Sequence, residues 1–195
     1  RPERRALAQG AARVAVVTEG LMRELSALES PPDCGFLIPW AGPGEGRAGI
    51  DTVVLDRLQD AGNVGAILRS AAALGVGQVV ALKGTAALWS PKVLRAGMGA
   101  HFALHLVEMA AHQGLDALGV PLVGTSSHTA LELHRCRLPS PVAWVFGHEG
   151  QGMDPALASR CELVVRIPQP GGEESLNVAA AASICLYESL RQRLA

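Results

Sequence analysis

The chain has 195 residues, 49% of them hydrophobic and 18% charged, with a formal net charge of −1. That is the balance of a globular protein large enough for one good core plus additional material. It excludes a global basic field, so any nucleic-acid contact must come from a local patch or from residues outside the chain. Cys34, Cys136, Cys161 and Cys185 form no C-x-x-C pair, and no Cys/His cluster has zinc spacing. Free thiols in a reducing cytoplasm are expected, with no metal. No leader and no apolar run of about 18 residues are visible, so no membrane segment is expected. Residue 1 is Arg rather than Met, and a piece of a longer protein is expected.

Three stretches follow one another. Residues 13–38 read as strand (Arg13–Val17), helix (Thr18–Leu28, with Thr18 as N-cap) and strand (Gly35–Ile38). Three elements are too few for a stable domain, so residues 1–38 read as the tail of one. Residues 39–49 hold four glycines and two prolines in eleven positions and read as a linker. From Ile50 onward short Val- and Leu-rich runs alternate with helical stretches. Strands are expected at Thr52–Leu55, Gln78–Leu82, Pro121–Gly124, Val142–Phe146 and Leu163–Ile167. Helices are expected at Asn63–Leu74, Pro91–Gly97, Val107–Leu118, Asp154–Arg160 and Ser175–Leu194. Runs this apolar, in alternation, imply an α/β fold: a parallel sheet with helices on both faces.

Common signatures are absent. There is no G-x-x-x-x-G-K-[ST] and no G-x-S-x-G; His148-Glu149 lacks the second His of H-E-x-x-H; Gly147, Gly150 and Gly152 do not fit G-x-G-x-x-G. Three segments are unusual. In Leu55–Leu74, Val64, Ile67, Leu68, Ala71 and Leu74 form a core stripe. Arg69 lies off it, and its i±3 and i±4 neighbours are Gly65, Ala66, Ala72 and Ala73. One long cation thus stands on a face cleared of bulk. It is either a solvated surface arginine, with Asn63 as a plain N-cap, or a group projecting into a phosphate or ribose site. In Ala143–Asp154 a buried strand ends in three glycines within six residues, where open α/β sheets bind ligands. Glu149 is the one acid inside that loop, unless the loop is only a tight turn with an exposed carboxylate. In Arg166–Ala179 a Pro/Gly loop leads to a helix start carrying Ser175 and Asn177, either as plain caps or beside free N–H groups that can hold a polar ligand. The helix that follows is apolar nearly all round from Val178 to Leu186, which calls for cover by the core and by a second subunit.

Taken jointly and in order, N-V-G-A-I-L-R-S-A, F-G-H-E-G-Q-G-M and I-P-Q-P-G-G-E-E-S-L-N-V-A-A-A resemble motifs 1, 2 and 3 of the SpoU/TrmH RNA methyltransferases. The resemblance covers Ile50 to the C-terminus. Residues 13–38 resemble the end of the ribosomal-protein-like RNA-binding domain common in that family. The resemblance implies the SPOUT methyltransferase fold, with a C-terminal trefoil knot that general chain topology would not suggest. It also implies a cytoplasmic homodimer that holds S-adenosylmethionine in the knot and methylates a ribose 2'-hydroxyl in RNA. The preferred substrate is rRNA, with tRNA as the alternative; a catalytically idle RNA-binding module is the rival class. By position, Arg69 matches the catalytic arginine, Asn63 the motif 1 asparagine, Glu149 the motif 2 glutamate, and Ser175 and Asn177 the motif 3 polar pair. Thr125, Gly147, Ile167, Leu176 and Asn177 match positions that hold the cofactor. The acids Glu173 and Glu174 depart from the commoner motif 3. Methyl transfer from a sulfonium needs mainly positioning. Arginines stay charged at working pH, so the resemblance leaves two roles open for Arg69: removing the hydroxyl proton, or binding phosphate and stabilising a developing alkoxide.

Overall fold

The computed structural model describes residues 8–26, 30–40, 42–109, 111–171 and 175–195. The chain divides into two compact units, Arg1–Ala41 and Gly42–Ala195. In the first unit, helix α1 (Glu19–Leu25) starts at Thr18, whose hydroxyl accepts a hydrogen bond from the Leu21 N–H at 3.3 Å. Residues 27–28 of the expected helix lie outside the described residues. The expected strands at 13–17 and 35–38 carry no ladder. A strand exists only with a hydrogen-bonded neighbour, and Val14, Val16, Phe36 and Leu37 are exposed with none among the described residues.

The second unit is built on six described strands in the order β3-β2-β1-β5-β4-β6, every neighbouring pair parallel. They are β1 (Thr52–Leu55), β2 (Gln78–Leu82), β3 (His105–Met109), β4 (Leu122–Thr125), β5 (Ala143–Phe146) and β6 (Leu163–Val165). The central strands β1, β2 and β5 are buried along their whole length, which is why they read as unbroken apolar runs rather than alternating ones. Two apolar clusters cover the faces. One is centred on Ile67, Leu68, Trp144 and Phe146, the other on Val54, Val145, Leu118 and Leu157.

Helix α2 (Ala61–Ala73) buries Val64, Ile67, Leu68 and Ala71 of the stripe read from the sequence; its fifth member, Leu74, is the half-buried C-cap. Its N-cap is Asp60, whose carboxylate accepts from the Asn63 N–H at 2.7 Å, so Asn63 sits inside the helix and its side chain is released for other work. Helix α3 (Pro91–Gly97) has Ser90 as N-cap and Pro91 at the first helical position, and it ends in a left-handed Met98. Helix α4 (Pro155–Ala158) is one turn capped by Asp154. Helix α5 (Val178–Leu194) begins at Asn177 and buries Ala179, Ala182, Cys185, Leu186 and Ser189. It lies against α2, joined by a 2.7 Å Ser70–Ser183 hydroxyl bond, and against β5, where the buried Trp144 Nε1 donates to Ser189 Oγ at 2.8 Å.

Two further expectations do not hold in the second unit. The helix expected at Val107–Leu118 is strand β3 followed by a 3₁₀ segment, His112–Leu118. Pairing all five β3 residues with β2 satisfies backbone groups that β2 would otherwise leave open, and that outweighs a helical spacing of apolar residues. The linker expected at 39–49 is, from Gly42 on, part of the second unit. The Glu108 N–H donates to Pro43 O at 2.8 Å, and His105 Nε2 lies 2.7 Å from Glu45 O, so the strap covers the free edge of β3. The buried Gln78 fixes its end, accepting from the Arg47 N–H at 2.7 Å and donating to Thr52 Oγ1 at 3.0 Å.

Candidate functional site

Strand order reverses between β1 and β5: β2 and β3 extend to one side of that pair, β4 and β6 to the other. A reversal of this kind opens a crevice at the carboxyl ends of the strands. Leu55 and Phe146 are in register there, so the loops after β1 and β5 emerge side by side.

The loop after β5 is a tight hairpin. His148 N–H donates to Gly152 O at 3.0 Å, and Gly152 N–H returns the bond to His148 O at 2.8 Å. His148 Nδ1 accepts from the Gly150 and Gln151 N–H groups at 3.0 and 3.2 Å, so its ring props the tip. Gly147 lies directly under the returning strand. A Cβ there would overlap Met153 N and Gly152 C and reach 2.6 Å from Met153 Cα, so only glycine lets the two backbones close.

The hairpin is anchored to β1 by residues that sequence reasoning missed. Asp56 is 3% exposed and takes both Arg57 Nε and Nη2 at 3.0 Å, together with the Asp154 N–H at 2.8 Å. Arg57, held at φ 59°, passes the clamp on to Gly152 O at 3.2 Å and Gln151 Oε1 at 3.3 Å. The hydrogen bond to Asp56, ahead of its charge, raises the Arg57 pKa above its ordinary value. The available signal was an acid–base pair at the carboxyl end of a buried strand.

This anchoring places Glu149 against α2. Asn63 Nδ2 donates to Glu149 Oε1 at 3.3 Å, and Asn177 Nδ2 donates to Asn63 Oδ1 at 2.9 Å. Asn177 Oδ1 caps α5, accepting from the Ala179 and Ala180 N–H groups at 2.9 and 3.2 Å. One side chain from each of the three unusual segments therefore meets in a chain, Glu149–Asn63–Asn177, although the bonded residues are 86 and 114 positions apart.

Arg69 is not in that chain. It stands exposed on α2, with no hydrogen bond or ion pair to any described residue. Ser175 is exposed two residues before Asn177, the cap of α5, without a bond to Asn63 or Glu149. Thr125 ends β4, Ile167 follows β6, and Leu176, 40% exposed, adjoins Asn177. With Gly147 these positions occupy the ends of the adjacent strands β5, β4 and β6 and the start of α5. Near them Gln169 Oε1 is a buried acceptor with no partner among the described residues. Glu173 and Glu174 lie outside the described residues.

Comparisons with known proteins agree with this geometry. The model of the SpoU rRNA Methylase family matches residues 51–187. The chain is 35% identical over 147 residues to a 23S rRNA (guanosine-2'-O-)-methyltransferase RlmB of Vibrio parahaemolyticus, covering 73% of this chain and 60% of that protein. It is 37% identical over 145 residues to the RlmB of Bordetella pertussis, covering 72% and 59%. The chain thus spans about three-fifths of the length of these curated relatives. Among solved structures, the SpoU methyltransferase AviRb of Streptomyces viridochromogenes in complex with AdoMet superposes with a TM-score of 0.69 at 32% identity, over 76% of this chain and 62% of that one. A crystal structure of an RNA 2'-O ribose methyltransferase gives a TM-score of 0.71 at 31% identity, over 91% and 71%. A six-stranded parallel sheet whose order reverses between β1 and β5, three motif segments joined by Asn63, and a family match across most of the second unit lead to one conclusion: the chain belongs to the SpoU rRNA Methylase family.

Proposed function

We propose that the chain is the catalytic part of an enzyme that transfers the methyl group of S-adenosylmethionine to a ribose 2'-hydroxyl of RNA, with rRNA favoured over tRNA. The observation that carries this reading is the hydrogen-bonded chain Glu149–Asn63–Asn177, which draws the three motif segments together at the strand ends. The names of the relatives support the RNA class, and the AdoMet complex of AviRb supports the cofactor. The second unit fits that cofactor: backbone from three adjacent strand ends, partly exposed Ile167 and Leu176 for an apolar base, and the unpartnered acceptor of Gln169. We further infer the trefoil knot of the family, a cytoplasmic homodimer, and an RNA-binding role for the domain to which residues 1–38 belong. The exposed stripe of Ala180, Ile184 and Tyr187 on α5 supports the dimer. No described helix is long and apolar enough to cross a membrane.

When bound, the cofactor supplies a methyl group already activated by its positive sulfur. The protein has to place a hydroxyl in line with it and manage one proton. Arg69, with no described partner, is available to a phosphate beside the target ribose and to the oxygen as it loses its proton. Glu149 orients Asn63, and Asn177 ties Asn63 to the start of α5. Gly147 lets the hairpin close against Met153. Ser175, ahead of Asn177, is the polar group left for the substrate ribose.

The test is direct. The chain is incubated with methyl-tritiated S-adenosylmethionine and either rRNA or tRNA, and the digested nucleosides are separated. Label in 2'-O-methylnucleosides from rRNA is expected. Label only in bases, or no binding of S-adenosylmethionine by calorimetry, refutes the reading; label only from tRNA refutes the substrate preference.

A further inference from the structure

The sequence between Asp60 and Glu108 contains no Asp and no Glu, yet it carries Arg69, Lys83, Lys92 and Arg95. In a chain of net charge −1 this is a local excess of positive charge. All four cations are exposed, and none pairs with a described carboxylate. The contrast lies within the same unit: Arg57, Arg135, Arg160, Arg166, Arg191 and Arg193 each face an acid.

The same stretch presents an apolar surface. Helix α3 buries Val93 and Gly97 and turns Leu94, Lys92 and Arg95 outward. At its end the left-handed Met98 is 74% exposed, and Phe102, in the 3₁₀ turn that follows, is 75% exposed. An aromatic left in water among unpaired cations marks an interaction surface rather than a packing site. It is also joined to the proposed site. A Cβ on Gly65 would come within 2.7 Å of Ala96 C and Gly97 N, so α2 and α3 meet backbone to backbone there. Arg69 lies one helical turn further along α2 from that contact.

We propose that the outer face of α3 and its end turn bind a single-stranded stretch of the RNA substrate. Phe102 stacks on a base, Met98 and Leu94 extend that platform, and Lys92 and Arg95 hold the phosphates leading to Arg69. The proposal rests on the reading that the substrate is RNA, and it locates part of the RNA contact in the catalytic unit itself. A second copy of the chain fits this face less well. A twofold contact brings the same patch to itself, and an acid-free patch offers its own cations no counter-charge. A polyanion with flat bases answers both the charge and the exposed ring.

The test uses the 195-residue chain and a fluorescein-labelled, unstructured 16-nucleotide RNA of mixed sequence, with affinity read by anisotropy across a salt series. Phe102→Ala is expected to weaken binding about 5- to 150-fold, the range for loss of one stacked base. Lys92→Glu/Arg95→Glu is expected to weaken it further and to lower the salt slope by about 1.4, at about 0.7 per phosphate contact on a single strand. Calorimetry with S-adenosylmethionine should give an unchanged affinity for both variants, which also confirms that they are folded. Wild-type affinity in both variants overturns the proposal. So does a change from dimer to monomer in Phe102→Ala by light scattering with RNA affinity intact, because the face then belongs to a second copy. Failure of the wild-type chain to bind S-adenosylmethionine refutes the methyltransferase reading instead, while a loss of RNA binding confined to the variants still supports this surface.

Discussion

Replacing Asn63 by Asp changes one atom type and tests the network at its centre. The Asn63 amide donates to Glu149 Oε1 at 3.3 Å and accepts from Asn177 Nδ2 at 2.9 Å. In Asn63→Asp the second bond survives, because a carboxylate oxygen still accepts. The first becomes a contact between two carboxylates. At 3.3 Å their repulsion is about 1 kcal/mol in bulk water and about 5 kcal/mol at an effective dielectric of 20. Because this bond is exposed, about 1–2 kcal/mol is appropriate, and the lost hydrogen bond adds about 1 kcal/mol. Misplacement of the Glu149 hairpin by about 2–3 kcal/mol corresponds to a fall in turnover of about 30- to 150-fold. If the whole of that about 2–3 kcal/mol is felt by the folded state, the melting temperature falls by about 4–12 °C, at about 2–4 °C per kcal/mol. The companion variant is Asn63→Asp/Glu149→Gln. There the new amide donates to the new carboxylate and restores the bond with donor and acceptor exchanged. Methyl transfer measured with tritiated cofactor should recover at least about fivefold over Asn63→Asp, the equivalent of one hydrogen bond of about 1 kcal/mol regained. Wild-type turnover in Asn63→Asp would refute the functional meaning of the network. No recovery in the double variant would refute the hydrogen-bond account and assign the loss to the charge of Glu149.

Three further outcomes are expected. Arg69→Ala should leave the fold and calorimetric S-adenosylmethionine binding intact but lower turnover by about 10²-fold or more; substantial rescue by Arg69→Lys would favour simple charge stabilisation, and near-wild-type turnover of Arg69→Ala would remove the residue from the mechanism. Gly147→Ala forces the hairpin off Met153 and should cost about 1–3 kcal/mol, read as a melting-temperature loss of about 2–4 °C per kcal/mol together with weaker cofactor binding; an unchanged melting temperature would contradict the close approach. Burial pushes the thiols of Cys161 and Cys185 up from the ordinary 9.0 to about 11 and about 12, so both should lag in reaction with a chromogenic disulfide at pH 8 and react promptly only in denaturant. Because these pKa values are raised by folding, the stabilisation from the neutral thiols is complete below about pH 9 and declines as pH rises toward 11 and 12; a flat unfolding midpoint between pH 9 and 11 in the native chain, set against Cys161→Ser/Cys185→Ala, would contradict that.

The central strands were legible because both faces of β1, β2 and β5 are covered, which leaves unbroken Val and Leu runs as their signature. Helix α2 was legible through its 64-67-68-71 stripe. Strand β3 was not, because at the sheet's flank the pairing with β2 decides the conformation and the local pattern does not record it. The same holds for residues 42–49. Their glycines and prolines read as linker, and only Gln78 and the open edge of β3 reveal why they dock. At the site, Asn63, Glu149 and Asn177 were each legible by segment, but not that they touch; 86 and 114 residues separate the partners. Of the two readings of Asn63, the plain cap does not hold: Asp60 and Asn63 are both good caps, and only the bond from the Asn63 N–H to Asp60 tells them apart. Arg57 was passed over because a charged residue after a strand ordinarily reads as solvated, and nothing local tells that Asp56 beside it is buried.

The long reach of the Asn63–Asn177 bond also bears on the order of events during folding. Closing a loop of 114 residues carries an entropic cost of about 4 kcal/mol beyond its constant part, and such distant pairings slow a chain's search for its native state. As the chain is synthesised, β1, α2, β2 and α3 can collapse while residues 175–195 have yet to appear, leaving the α2 surface that later receives Ser183 temporarily bare. The Glu149–Asn63–Asn177 chain is therefore assembled late, after most of the sheet exists. On dilution from denaturant, the far-ultraviolet signal should return before the capacity to bind S-adenosylmethionine.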